Sequence, residues 1–198
     1  GESGKMLIAE KHINNVVCLL LADDQAALTA FENRLSDFVL RYVPEYYAPH
    51  AVQLTFSESA PAEKTVSRLY DQACKALKIS CGIFQDQDIL YWKDVGYRGL
   101  FFDLSEEKRR HFVSGTLKAL ADAPGSMDLV NTLRCYLDQN CNIVHTAQMM
   151  FLHKNTLNYR LNRIRELLGK NPNDPDTRIN LRMALDIMLI FPEEHYFS

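Results

Sequence analysis

The sequence lacks the features that mark secreted, membrane-spanning and metal-binding proteins. Its five cysteines are odd in number and scattered, and no two of them form a C-x-x-C pair. We therefore expect reduced thiols instead of a disulfide framework or a zinc site. The longest apolar run, around Val16–Ala22, falls far short of the ~20 residues that span a bilayer. No secretory signal pattern opens the chain. These absences favour a cytoplasmic globular protein.

Sequence motifs of catalysis are missing as well. There is no G-x-S-x-G motif and no paired Cys/His signature, and the six histidines form no H-x-x-x-H or H-E-x-x-H pair. The opening residues, Gly1–Lys5, resemble the end of a phosphate loop. They lack the upstream glycine and the preceding strand, and Met6 stands where Ser or Thr is required. The sequence therefore predicts no metal, no cofactor and no enzymatic activity.

Charge is unevenly distributed along the chain, whose overall net charge is −3. Residues 1–125 hold 14 basic and 17 acidic residues, whereas residues 126–198 hold 8 of each. Within the second part, residues 145–170 hold five basic residues and one acidic residue, a local net charge of +4. Neutralisation of phosphates supplies most of the sequence-independent affinity for DNA. A nucleic-acid contact is therefore expected in the second part of the chain and not in the acidic first part.

The stretch from Asn140 to Gly169 reads as a short helix, a tight turn and a longer helix. In the longer helix, over residues 154–168, Leu157, Leu161, Ile164 and Leu168 recur at the spacing of one helical face. The opposite face carries amides, a phenol and arginine: Asn155, Tyr159, Asn162 and Arg163. We interpret the stretch as a helix-turn-helix with residues 154–168 as its recognition helix.

The side chains on that polar face have the chemistry of groove readers. Asn can form two hydrogen bonds with adenine, Lys or Arg can do so with guanine, and Thr or Tyr can bond phosphate. The alternative is that a basic, amide-rich helix face is simply solvated. The turn length, the side-chain types and the local positive charge all fit a DNA-binding helix, and together they favour DNA binding over a solvated face.

The run H-x-N-T-L-x-Y-R-L at His153–Leu161, with Thr146-Ala147 before it and DPDTRINLRMALDI after it, resembles the C-terminal helix-turn-helix of the PucR/CdaR family of bacterial transcriptional regulators. The resemblance covers roughly Met127–Leu189, and its core is also similar to the smaller Fis-type motif. It implies base contacts by Lys154, Asn155, Asn158 and Tyr159, and phosphate contacts by Thr156, Arg160 and Arg163. The family usually has Arg where this chain has Lys154, which keeps the charge but loses the planar fork.

Residues 13–104 alternate between strand and helix patterns, which predicts an α/β sandwich with a small sheet. The expected strands are a buried central strand at 15–22 and strands at 50–57, 79–84 and 88–92. The expected helices are 25–42, ending before Pro44, 62–77 and, beyond the sandwich, 106–121. The segments YDQACKAL and DILYWKDVGYRGLFF are similar to the degenerate GGDEF-like domain that precedes the DNA-binding module in this family. The GGDEF signature itself is absent, so no cyclase activity is expected.

Ala123-Pro124-Gly125 contains the helix breakers proline and glycine, and we take it as the domain boundary. The fold class is therefore expected to be α+β, with a GGDEF-like regulatory or dimerisation domain at 1–125 and an all-α helix-turn-helix domain at 126–198. Gly169 is expected to end the recognition helix, and Asp174 to begin a last helix. That last helix carries an apolar surface that Ile187, Leu189 and Ile190 widen beyond one face, which fits either a second subunit or the small domain's own core.

Two functions of different class follow from these patterns. The first is a sequence-specific DNA-binding transcriptional regulator, an activator of a metabolic operon, that binds operator or promoter duplex as a homodimer or higher homo-oligomer. Its small-molecule effector would act through an N-terminal domain absent from this chain. The second is a ligand-sensing or enzymatic α/β module whose C-terminal helices only mediate packing or oligomerisation.

Overall fold

The structure, a computed structural model, describes residues 4–12, 15–47, 52–61 and 66–197. The backbone groups into two compact units, Gly1–Gly96 and Tyr97–Ser198. The first unit holds the strands, and the second is built from helices. The break between these units precedes the boundary expected at residue 125, because the helix over residues 106–121 packs with the C-terminal helices.

The first unit contains two separate two-stranded sheets in its described residues. Its elements, in order, are β1 (Gly4–His12), β2 (Asn15–Ala22), α1 (Gln25–Tyr47), β3 (Leu54–Phe56), α2 (Val66–Ile83) and β4 (Ile89–Tyr91). β1 and β2 pair antiparallel, and β3 and β4 pair parallel with Leu54 opposite Ile89. α2 packs on β3, where the Thr55 hydroxyl donates a 3.0 Å hydrogen bond to the Ala73 carbonyl. This arrangement replaces the single small sheet that the alternating pattern predicted.

Three local expectations in this unit were wrong. β2 has the expected bounds, but it pairs only with β1 among the described strands, and Val16 is exposed, so it is not a buried central strand. The strand expected at 79–84 is the end of α2, because Ala76, Ile79 and Ser80 extend that helix's buried face at helical spacing. α1 continues past Pro44 to Tyr47, so the end expected before that proline is not observed.

Two other elements of the first unit are shorter or shifted. The strand expected at 50–57 is reduced to β3, and residues 48–51 lie outside the described residues. The helix expected at 62–77 is described from Val66, with residues 62–65 outside the described residues. The strand expected at 88–92 is confirmed as β4. β1 was not expected as a strand.

The second unit begins inside a 3₁₀ segment, Gly96–Asp103, whose first residue belongs to the first unit. It continues with five helices: α3 (Glu106–Ala121), α4 (Ser126–Asp138), α5 (Ile143–Met149), α6 (Lys154–Leu168) and α7 (Pro175–Ile190). The bounds expected for α3 and α6 are confirmed. Ser105 caps α3 by accepting from the Lys108 amide, and Asp174 caps α7 by accepting a 3.1 Å hydrogen bond from the Thr177 amide. Pro175 takes the first position of α7, where its missing N–H costs nothing.

The core of the second unit lies between α3, α4, α6 and α7, in which α3 and α4 contact each other and each contacts both α6 and α7. Its most deeply buried apolar side chains are Val113, Leu117, Leu120, Leu133, Tyr136, Leu157, Leu161, Ile164, Ile187 and Ile190. Of the three apolar residues that widen α7, Ile187 and Ile190 therefore belong to this unit's own core, and Leu189 is half-buried. Tyr136 also donates a 2.7 Å hydrogen bond to Asn173, which fixes the turn between α6 and α7 against α4.

A buried arginine joins α3 to the end of the chain. The Arg109 guanidinium donates to the Phe101 carbonyl at 3.1 Å and forms an ion pair with Glu194, with Nε 2.9 Å from the nearer carboxylate oxygen. It also lies over the Phe191 ring at 4.0 Å. Because a buried cation requires paired acceptors, this set of contacts holds the 3₁₀ segment and the residues after α7 to the helical core.

Candidate nucleic-acid interface

The first helix of the expected helix-turn-helix, α5, is held at its start by Asn142. The Asn142 Oδ1 atom accepts hydrogen bonds from the Val144 amide at 2.9 Å and the His145 amide at 3.1 Å. The Thr146 hydroxyl donates to the Asn142 carbonyl at 2.7 Å. Thr146 and Ala147 are both buried. The Thr-Ala pair that contributes to the family resemblance is therefore a packing element that seats α5 against α6.

The turn between α5 and α6 is a Schellman motif. α5 ends at Met149 with Met150 as its C-cap, and the next residue, Phe151, has the left-handed conformation with φ +53°. The Phe151 amide donates to the Gln148 carbonyl at 3.1 Å, and the Leu152 amide donates to the Ala147 carbonyl at 2.9 Å. These two bonds satisfy carbonyls that the end of a helix leaves without partners. The two hydrogen bonds close a tight turn, and this turn sets the angle between α5 and α6.

α6 starts at a histidine cap that the sequence patterns did not reveal. The Nδ1 atom of His153 accepts a 3.2 Å hydrogen bond from the Asn155 amide, a role that requires this nitrogen to be unprotonated. The His153 carbonyl accepts from the Leu157 amide at 3.1 Å and begins the helical ladder. At the other end, Gly169 takes the left-handed conformation with φ +61°, so the expected C-cap is confirmed.

The two faces of α6 separate as the periodicity predicts. Leu157, Leu161 and Ile164 have at most 1% of their surface exposed, whereas Leu168, in the last turn, is only half-buried. α6 contacts α3, α4 and α5. Tyr159, on the other face, is 73% exposed. The other exposed polar side chains on this face are Asn155, Thr156, Asn162, Arg163 and Glu166. Lys154 is exposed at the first position of the helix, where no preceding turn covers it. Asn158 and Arg160 are half-buried at the border between the faces.

The arginines of α6 differ in their partners. Arg160 lies 3.0 Å from the carboxylate of Asp128 on α4 and 3.3 Å from the Thr132 hydroxyl. Within the described part of the chain, Arg163 forms its ion pair with Glu166, one turn along its own helix, at 3.3 Å. Arg165 donates a 2.9 Å hydrogen bond to Asn162. Arg163 therefore presents its charge to solvent, whereas Arg160 also ties α6 to α4.

The exposed face can offer hydrogen-bond donors and positive charge to a polyanion. Lys154 and Arg163 supply cationic donors, Asn155 supplies an amide with both donor and acceptor, and Thr156 and Tyr159 supply hydroxyls. Among the described residues there is no cluster of His, Cys, Asp and Glu that could hold a metal ion. The five cysteines are free thiols. No helix in the described part of the chain is long and apolar enough to cross a bilayer.

Comparison with known proteins places this surface in a recognised type of domain. Residues 129–187 match the PucR C-terminal helix-turn-helix domain. The chain is 41% identical over 83 residues to the purine catabolism regulatory protein of Bacillus subtilis, which is 41% of this chain and 16% of that protein. It is 37% identical over 131 residues to the proline-responsive transcriptional activator PutR of the same organism, covering 63% of this chain and 31% of PutR.

A third relative is the carbohydrate diacid regulator of Escherichia coli, 26% identical over 123 residues, covering 62% of this chain and 32% of that protein. The chain thus spans no more than a third of the length of these three relatives. The matched residues run from α4 to the last turns of α7 and contain the whole of α5, the turn and α6. Residues 129–187 of this chain are therefore a helix-turn-helix domain of the PucR C-terminal type.

Proposed function

We propose that the chain is the DNA-binding part of a bacterial transcriptional regulator and that α6 reads the major groove of double-stranded DNA. The observation that carries this proposal is the division of α6. Leu157, Leu161 and Ile164 are buried in the helical core, while the side that carries Asn155, Tyr159 and Arg163 is exposed. A recognition helix needs this arrangement, because the core holds it rigid while its polar side enters the groove.

The polar side chains of α6 have two kinds of contact in this function. Lys154, Asn155, Asn158 and Tyr159 contact base edges, since they stand in the first turns of the helix, and Lys and Asn side chains match guanine and adenine respectively. Thr156, Arg160 and Arg163 contact phosphates and set the register of the domain on the duplex. Arg160 has to share its guanidinium between Asp128 and a phosphate.

The names of the relatives support a regulatory role. One is named for purine catabolism, one is a proline-responsive transcriptional activator and one is a carbohydrate diacid regulator. By analogy, this chain belongs to an activator of a metabolic operon in the bacterial cytoplasm and has no enzymatic activity. The signal is a small molecule sensed by a domain outside this chain.

Operator recognition is expected to involve two copies of the chain. One short helix contacts only a few base pairs, so helix-turn-helix proteins usually bind two half-sites about one helical turn apart. We expect a homodimer or higher homo-oligomer in which the first unit, a degenerate GGDEF-like domain, regulates or dimerises.

Selection of bound duplexes from a random DNA pool tests the proposal. The enriched sites should share a motif repeated as two half-sites, and affinity for them should fall steeply as salt is raised, since phosphate contacts release counterions. Retention of no sequence above the starting pool, at low salt and with folded protein, would overturn the proposal.

The alternative, a ligand-sensing or enzymatic first unit, has one structural feature in its favour. A cavity of about 430 Å³ lies in that unit and is lined by polar side chains, among them Glu32, Glu58 and Lys93. A thermal-shift screen with nucleotides and metabolites separates the two functions. A large rise in melting temperature accompanied by turnover of the added compound would favour the enzyme. An unchanged melting temperature, together with retarded gel migration of a selected duplex, would favour the regulator.

A further inference from the structure

Phe151 stands out from the other apolar residues of the helical unit. Its side chain is 96% exposed, the highest fraction among the large hydrophobic residues that the structure describes. Its backbone has φ +53°, in the left-handed region that L-residues with a Cβ atom avoid. An aromatic ring thus occupies a position where glycine would relieve the strain and remove the exposed apolar surface. Neither property of Phe151 stabilises the fold.

The position of Phe151 relates it to the proposed DNA-reading surface. It precedes Lys154, the first residue of α6, by three positions, and the Schellman hydrogen bonds of the turn fix its backbone. The ring therefore projects from a rigid turn at the N-terminal end of α6. That is the end where Lys154 and Asn155 are expected to meet base edges, so an exposed ring there adds an apolar group to a polar, cationic surface.

We infer that Phe151 is a specificity-determining residue that contacts the C5-methyl group of a thymine in the major groove. This inference rests on the proposed function and extends it. The thymine methyl is the apolar feature that the major groove offers, and phenylalanine is among the side chains that contact it. The ring carries no charge and donates no hydrogen bond. It therefore selects A·T pairs beside the bases read by α6 without adding a phosphate contact.

The test compares the whole chain with its Phe151→Gly variant on the duplex selected from the random pool. Glycine accepts φ +53° without strain, so the variant should unfold at the same or a higher denaturant concentration than the parent chain. Its affinity for the selected duplex should fall by about tenfold, of the order of one specific base contact. The slope of log affinity against log salt should stay unchanged, because no phosphate contact is lost.

Replacing single thymines of the selected site with uracil identifies the partner of the ring. Uracil lacks only the methyl group, so one replacement should weaken binding of the parent chain and leave binding of Phe151→Gly unchanged. Ile179→Ala, which truncates another exposed apolar side chain of the same unit on α7, is the matched control and should keep the parent's affinity and its response to uracil.

The outcomes separate this inference from the function on which it rests. If the parent chain binds no duplex, the proposed function itself fails. If the parent binds and Phe151→Gly binds equally well with the same response to uracil, the inference fails and the proposed function stands. Equal DNA binding combined with loss of self-association in Phe151→Gly would also overturn the inference and assign the ring to a contact between copies of the chain.

Discussion

The guanidinium of Arg160 lies 3.0 Å from the carboxylate of Asp128 and joins α6 to α4. Thr132, one turn further along α4, accepts a second hydrogen bond from the same guanidinium at 3.3 Å. The Arg160 side chain is only 23% exposed, whereas that of Asp128 is 68% exposed. The proposed phosphate contact of Arg160 and its role in holding α6 to α4 therefore compete for one side chain.

Replacing Asp128 with Asn should raise affinity for DNA several-fold while it slightly lowers stability. Without the carboxylate, Arg160 is released toward phosphate, and a partly exposed ion pair contributes at most about 1 kcal/mol to the free energy of unfolding. Fluorescence anisotropy with a selected duplex and urea unfolding measure the two effects. Asp138→Asn is the matched control, because it removes the same charge from the same helix but from a carboxylate that pairs with Arg182. An equal rise in affinity for both variants would contradict a competing role for Arg160.

Replacing Arg163 with Ala should weaken binding to all duplexes, whatever their sequence. Its side chain is exposed and pairs only weakly with Glu166 on the same helix, so it is free to neutralise a phosphate. The slope of log affinity against log salt should decrease by about 1, with stability changed by no more than about 0.5 kcal/mol. Arg178→Ala removes the same charge from an exposed position on α7. Identical slopes for the two variants would show that Arg163 does not contact a DNA phosphate.

Replacing Lys154 with Ala should relax the base preference at one position of the half-site, and Lys154→Arg should sharpen it toward guanine. The planar guanidinium of arginine can bond guanine O6 and N7 together, which a lysine ammonium does less selectively. Selection from a random pool with each variant measures the change position by position. Lys170→Ala, beyond the C-cap of α6, is the control and should leave the motif intact. If the selected motif were the same for all four proteins, Lys154 would not be a base contact.

A buried carboxylate on α7 should make the stability of the helical unit depend on pH. Asp186 is 1% exposed and accepts a 2.6 Å hydrogen bond from Tyr97, with Arg98 Nε 2.9 Å from the same oxygen. Its other carboxylate oxygen is buried and has no hydrogen-bond partner within the described residues. Burial raises the pKa of Asp186 above its ordinary value of 3.8, although Tyr97, Arg98 and Arg182 act in the opposite direction.

Because the pKa of Asp186 is higher in the folded than in the unfolded chain, the folded state binds the proton more tightly. The stability contributed by this proton is complete below pH 3.8 and is lost as the pH rises through the raised value. Asp186→Asn cannot titrate, so its free energy of unfolding relative to the parent should rise over that pH range. Urea unfolding of both proteins at a series of pH values measures the difference. A difference that instead fell with rising pH would mean that the Arg98 ion pair dominates and lowers the pKa.

The local features of the helix-turn-helix were largely predictable from the sequence. The bounds of α6 follow from the spacing of its buried leucines and from Gly169, and α7 follows from Asp174 and Pro175. These signals are local, since periodicity and capping act over a few residues of one element. The division of α6 into a buried and an exposed face could be read from the same spacing.

Features that depend on distant pairing or on unusual backbone were not predictable. Arg160 and Asp128 are 32 residues apart, and no local pattern joins them. No turn signal in the sequence identifies β1 as the partner of β2. The segment that the alternating strand and helix pattern assigned to a strand is the end of α2. Phe151 gave no sign of its left-handed backbone, because that position of a Schellman motif is usually occupied by glycine.

Photo-crosslinking from the exposed face of α6 tests the central claim most directly. Replacing Tyr159, which is 73% exposed, with the photoreactive p-benzoylphenylalanine places the probe on the proposed groove-reading face, and the same replacement at Ile179 on α7 is the control. On a selected duplex bound to saturation, irradiation should crosslink the probe at position 159 to DNA and leave the probe at 179 uncoupled. A duplex that stays bound but crosslinks equally from both positions, or not at all from 159, would contradict the assignment of α6 as the recognition helix.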